Sequence, residues 1–160
     1  MSRQFKRSAT FSAALSLAVG GIVVTGPEAQ AEEVCSGHNW MREFDTPGEN
    51  IDVEYQFCVG GGGGKYQGRG YGTVDDGGGA RKVDAFIVET RLERGDVVIT
   101  SKRCDFTNAV NSRDGINIDC ASPYALGRTH YTGDGRIYID IDNDGRSGTW
   151  YDLPGSIPLP

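Results

Sequence analysis

Turn signals break this chain at intervals too short for helices. Its 160 residues include 24 glycines, and turn-forming clusters stand at Thr46-Pro47-Gly48, Gly60–Gly64, Asp76-Gly77-Gly78-Gly79, Arg94-Gly95-Asp96, Asp114-Gly115, Gly133-Asp134-Gly135 and Asn143-Asp144-Gly145. Between them lie short alternating or β-branched runs. That rhythm belongs to an all-β sandwich or barrel. We expect a single antiparallel β-sandwich of about seven or eight short strands.

Period-two alternation locates the strands. Val53, Tyr55, Phe57 and Val59 share one face of a strand, and Glu54, Gln56 and Cys58 share the other. Lys82 to Leu92 runs into Val97 to Phe106 through Glu93-Arg94-Gly95-Asp96, a hairpin. Ile116, Ile118 and Cys120 alternate with polar residues, as do Ile137, Ile139 and Ile141, and Trp150 to Leu153 forms a last short strand. Lys65 to Val74 is diluted by glycine and reads as an edge or bulged segment. The run Gly60–Gly64 reads as a long mobile hairpin connection, with a functional loop as the alternative.

The N-terminus sets the compartment. Arg3, Lys6 and Arg7 precede an uncharged apolar run from Phe11 to Thr25, followed by Gly26-Pro27 and by Ala29-Gln30-Ala31. This is the layout of a secretory signal peptide, residues 1–31, cleaved after Ala31. The run is shorter than the roughly 20 residues that span a bilayer, so the expectation is a freely secreted, extracellular protein and no membrane association. Residues 32–160 then form one secreted β domain, taken as a monomer.

Removing Arg3, Lys6, Arg7 and Glu28 from 16 basic and 22 acidic side chains leaves 13 and 21, a net charge of −8. Such a field repels phosphate backbones, and no basic cluster offsets it, so nucleic acid is excluded as a partner.

All four cysteines, Cys35, Cys58, Cys104 and Cys120, follow the leader. In a secreted chain they form two disulfides, with three possible connectivities. Pairing of sequence neighbours is favoured, because Cys35–Cys58 and Cys104–Cys120 each staple a local β segment. Cys58 lies on the polar face of its strand, so its bridge clips an N-terminal arm over the outside of the sheet. Cys120 lies with Ile116 and Ile118, so its bridge is buried.

Asp140, Asp142 and Asp144, leading to Gly145, place alternate acidic oxygens around a tight turn and form a candidate calcium site. The stretch resembles the start of an EF-hand-type loop, with Tyr151 where that loop has its bidentate Glu. Asn143-Asp144-Gly145-Arg146-Ser147 is also similar to part of the calcium motif of βγ-crystallin-type domains, with Gly148 in place of the final serine. The bland alternative is an acidic hairpin tip, and no cofactor other than calcium is implied.

Catalytic patterns are thin. After the leader only His38 and His130 remain, and neither Ser122 nor Ser147 sits in a nucleophile elbow. His130 is expected on a strand. Tyr131-Thr132-Gly133-Asp134 resembles a tetrapeptide of small secreted bacterial guanyl ribonucleases, but Gly135 stands where those enzymes carry the catalytic histidine. Trp150 and Tyr151 are the candidate aromatic contact residues, with one of them packing inward as the alternative, and Trp40 is expected against the Cys35 disulfide.

The sequence therefore favours a non-catalytic binding module for an extracellular protein or glycan. The alternatives are a calcium-binding β protein using residues 140–145, a protease inhibitor presenting Arg113-Asp114, and a small hydrolase built around His130 or His38.

Overall fold

A computed structural model of the chain describes residues 32–37, 39–77, 81–127, 130–142 and 144–160. The expected leader, His38, Asn143 and part of the turn at 76–79 lie outside the described residues. Ten strands run β1 (Glu32–Cys35), β2 (Trp40–Phe44), β3 (Ile51–Gly62), β4 (Lys65–Asp75), β5 (Val83–Arg94), β6 (Val97–Asp105), β7 (Ile116–Ala121), β8 (Ala125–Leu126), β9 (Thr132–Ile141) and β10 (Thr149–Leu153). One helical turn, α1 (Thr107–Val110), joins β6 to β7.

The strands form two antiparallel sheets. In the first, β3 and β4 lie at the centre, β1 and β2 share the outer edge of β3, and β7 and β8 share the outer edge of β4. The second has the order β10-β9-β5-β6. Ten strands thus occupy eight rows, four on four, and the sandwich expected from the turn rhythm is the observed fold.

The inner faces carry the predicted alternation. Val53, Tyr55, Phe57 and Val59 of β3 are buried, as are Phe86, Val88 and Leu92 of β5 and Ile137 and Ile139 of β9. All of these but Val59 and Leu92 belong to one core, and Val59, Tyr66, Leu92, Ala125, Tyr131 and Leu159 form a smaller second cluster. Leu159 reaches that cluster because the C-terminal tail docks on β9. Its N–H donates to the Tyr131 carbonyl and its carbonyl accepts from the His130 N–H, both at 2.9 Å.

Two expectations are corrected. Lys65–Asp75 is a central strand and not an edge, since β4 pairs with β3 on one side and with β7 on the other. Its glycines are places of close approach. A Cβ at Gly70 would lie 2.5 Å from the Tyr55 hydroxyl and 2.7 Å from the Phe57 ring, and one at Gly72 would lie 2.4 Å from the Tyr55 ring. From the other sheet, a Cβ at Gly135 would stand 2.4 Å from the same Phe57 ring. The missing side chains make room for two large rings.

The run Gly60–Gly64 is also not a long mobile connection. Gly60 to Gly62 belong to β3, and the chain reverses at Gly63-Gly64 alone, with φ of 60° and 77°. Two consecutive positive φ values match a two-residue hairpin turn with the twist of the flanking strands.

The disulfides are those favoured from the sequence. Cys35 faces Cys58 directly across β1 and β3, so the bridge clips the N-terminal arm onto the outer side of the sheet. Cys104–Cys120 ties β6 to β7, the facing edge strands of opposite sheets. The crossover between them is fixed as well: Asn111 Oδ1 accepts from the N–H groups of Lys82 and Val83, and its Nδ2 donates to the Val83 carbonyl. Two bridges fit an oxidising environment.

Gly70→Ala and Gly135→Ala each force a methyl group against the Tyr55–Phe57 pair, which costs about 1–3 kcal/mol. The thermal midpoint falls by several degrees in both, while Gly37→Ala, with no atom within 4 Å of its added methyl, leaves it unchanged.

Candidate binding groove

Because the inner faces are filled, chemistry is left to the outer ones, and these differ. On the outer face of the second sheet, strand register sets charged side chains in a row: Asp152 faces Arg136, Arg136 faces Glu89, and Glu89 faces Arg103. Glu89 is 8% exposed and meets three guanidinium groups. Arg91 Nε donates to its Oε1 at 2.9 Å, Arg136 Nε lies 3.2 Å from Oε1, and Arg103 Nε donates to Oε2. Burial alone would raise the Glu89 pKa. The bonds from Arg103, Arg91 and Arg136 outweigh it and hold the carboxyl at about 2. Glu93 and Asp134 beside this row move the other way, raised first by burial and then by neighbouring carboxylates.

Trp150 belongs to this face. Its ring lies 5.2 Å from that of Tyr138, with the guanidinium of Arg136 at 4.2 Å and that of Arg103 at 5.3 Å. Tyr151, the next residue, points to the opposite side and packs on Phe44 and Trp40 at 5.4 and 6.2 Å. The two candidate contact residues are thus separated by strand alternation, and both are half-buried. Trp40 rests on Phe44 and Tyr151, 6.3 Å from Phe44, where the sequence reading had it against the disulfide.

The acidic turn does not bring its carboxylates to a common point. Asp142 lies 3.2 Å from Arg81 Nε, and Asp144 Oδ1 accepts from the Arg146 N–H at 2.7 Å. Asp140 lies against Gly148, whose Cβ would stand 2.7 Å from its own. Among the described residues, no three His, Cys, Asp or Glu side chains are grouped to hold a metal ion. His130 is exposed, just ahead of β9, with a φ of 73°. Ser122 Oγ accepts from the Gly68 N–H at 3.0 Å and lies 3.2 Å from Thr100 Oγ1. Arg113 and Asp114 are exposed between α1 and β7.

The outer face of the first sheet carries a feature that no motif in the sequence marks. Over the β3–β4 hairpin lies a groove of about 640 Å³, floored by Gly60 to Gly63 and walled by Glu33, Lys65, Gln67, Arg69 and Tyr124. Glu33, Gly60 and Gln67 form one cross-strand row, so the glycine leaves bare backbone between two planar polar side chains. Tyr124 is 62% exposed.

Arg69 organises the walls. Its Nη2 bonds Asp119 Oδ2 at 2.9 Å, its Nη1 lies 3.6 Å from Glu33 Oε1, and its guanidinium lies 4.9 Å from the Tyr71 ring centre. The Tyr71 hydroxyl donates to Glu33. Burial and this bond to Glu33 push the phenol well above its usual range. Beyond Tyr71 the surface dips again into a hollow of about 280 Å³ lined by Asn39, Glu54, Gln56 and Thr73. The signal in the sequence was the glycine run itself; only pairing showed that it lies in a sheet under an aromatic wall.

Compared with protein-family models, curated proteins and solved structures, the chain matches none.

The depressed Glu89 pKa has a signed consequence. Its stabilisation is present above the unfolded value of about 4.5 and is lost as pH falls toward about 2. A shift of this size corresponds to about 3 kcal/mol at neutral pH. Glu89→Gln therefore lowers stability near pH 7 and flattens the loss between pH 4.5 and 2, read by denaturant titration at each pH.

Proposed function

We propose that this protein is a secreted, non-catalytic binding module that holds an extracellular glycan in the glycine-floored groove. The observation that carries the reading is the bare Gly60–Gly63 backbone beside an exposed tyrosine. A flat floor without Cβ atoms lets a sugar ring lie against the sheet, and Tyr124 offers an aromatic face to its C–H side. Glu33, Gln67 and Arg69 are the planar groups that bind vicinal hydroxyls two at a time.

The ordering of the walls supports binding. Glu33 is held by Tyr71 and Arg69, and Arg69 by Asp119, so little side-chain freedom remains to be lost when a ligand arrives. Glu33 and Arg69 balance each other in charge. The net charge of −8 after residue 31 repels anionic polymers, so the ligand is an uncharged polysaccharide. The second hollow past Tyr71 extends the track for a chain of several sugars. Secretion fits the two disulfides and the leader-like residues 1–31.

The test is affinity for cellulose, chitin and a soluble β-glucan, measured by depletion assays and calorimetry. Tyr124→Ala and Arg69→Ala each weaken binding about tenfold or more, equivalent to about 1.4 kcal/mol. Gly60→Val is the sharper variant. Its Cβ points into the groove, 3.4 Å from Glu33 Oε1, and its methyl groups fill the floor. Loss of binding with an unchanged thermal midpoint is the expected result. Failure of the wild-type protein to bind any of the three polymers, or undiminished binding by Gly60→Val, overturns the reading.

A further inference from the structure

We infer that β6 is a docking edge for a second copy of this chain, joined antiparallel to its own β6 about a two-fold axis. The first support is where the exposed apolar side chains lie. Among the described residues seven large apolar side chains are exposed, and four of them are Val97, Val98 and Ile99 of β6 and Tyr124, which follows Pro123 beside that strand. The two segments are adjacent, because Thr100 Oγ1 donates to the Pro123 carbonyl at 2.9 Å. Scattered surface apolar residues need no explanation, but a grouped set marks an interaction surface.

The second support is the backbone. β6 ends its sheet, with β5 on one side only, so its outward N–H and C=O groups have no strand partner. The start of β6 exposes Val97, Val98 and Ile99 in succession, ahead of the exposed Ser101, Lys102 and Arg103. A free edge of this composition is a template for another strand.

Charge selects the occupant and its direction. The strand carries Asp96 in the turn at its start and Lys102-Arg103 near its end. Antiparallel pairing of two copies sets Asp96 of each alongside Lys102 of the other, twice by symmetry, with the apolar residues between. Parallel pairing would stack lysine and arginine on themselves. A two-fold contact must be complementary to itself, and this edge is. The dimer would join two four-stranded sheets into one of eight. It would also present two grooves, each walled by a Tyr124 next to the interface, to one polymer.

The experiment is sedimentation velocity of the purified, disulfide-bonded protein over a range of concentrations, with amide hydrogen exchange on the same samples. The expected result is a species of twice the chain mass, with exchange across residues 97–103 slowing as concentration rises. Ile99→Lys and Val98→Lys shift the protein to monomer, while Ile157→Lys, exposed outside this flank, does not. A monomer mass at every concentration overturns the inference. So does a dimer that persists in both β6 variants, or one whose β6 amides exchange at the monomer rate. Glycan binding by a monomeric β6 variant separates failure here from failure of the groove.

Discussion

The position of one ring governs the sandwich. Phe57 lies between Gly70 of its own sheet and Gly135 of the other, each so close that an added Cβ would collide with it. Tyr55 is accommodated in the same way by Gly70 and Gly72, and the two rings meet edge-on at 5.2 Å. Large side chains on β3 are thus matched by absent ones on β4 and β9. Close packing of this kind transmits any added volume directly to the backbone. Burial of both rings ties the register of β3 to that of its neighbours, since a slip by one residue would turn Tyr55 and Phe57 outward.

The two sheets have taken different courses on their outer faces. The β5–β9 face is closed by its own interactions, with Glu89 under three arginines and Trp150 between two of them. The β3–β4 face is open, because glycine continues past the last core residue into the hairpin and leaves backbone exposed between Glu33 and Gln67. One residue type thus serves two ends: on β4 it admits rings to the core, and at the end of β3 it leaves the backbone open at the surface. The Cys35–Cys58 bridge links the two, since it holds β1, and with it Glu33, beside the glycine floor.

Much of this was legible in the residues. Alternation at Val53–Val59 and at Ile137–Ile141 identified buried faces because period two survives any arrangement of the strands. The two cysteine faces were readable for the same reason, and the pairing of neighbours follows from their placement on adjacent elements. Glycine was harder to interpret. Its sequence signal is the same for a turn, a bulge and a close approach, so β4 read as an edge and the Gly60–Gly64 run as a long loop. What separates these cases is the neighbour across the sheet, Phe57 for Gly70 and Glu33 for Gly60, and that neighbour is distant in sequence.

The sequence by itself determined a β-sandwich and the faces of its main strands, since both depend on local period and on turn chemistry. The leader-like N-terminus and the cysteine count pointed in the same way to an oxidising compartment. Only the tertiary structure decided which surface was left open. The acidic stretch at Asp140–Gly145 looked like the site because its residues adjoin in sequence, yet folding sends Asp142 to Arg81 and Asp144 to its own turn. The groove gathers Glu33, Gly60, Arg69 and Tyr124 from four separate segments. Strand pairing brings such residues together, and pairing is set by the packing of the whole core, which no local pattern encodes.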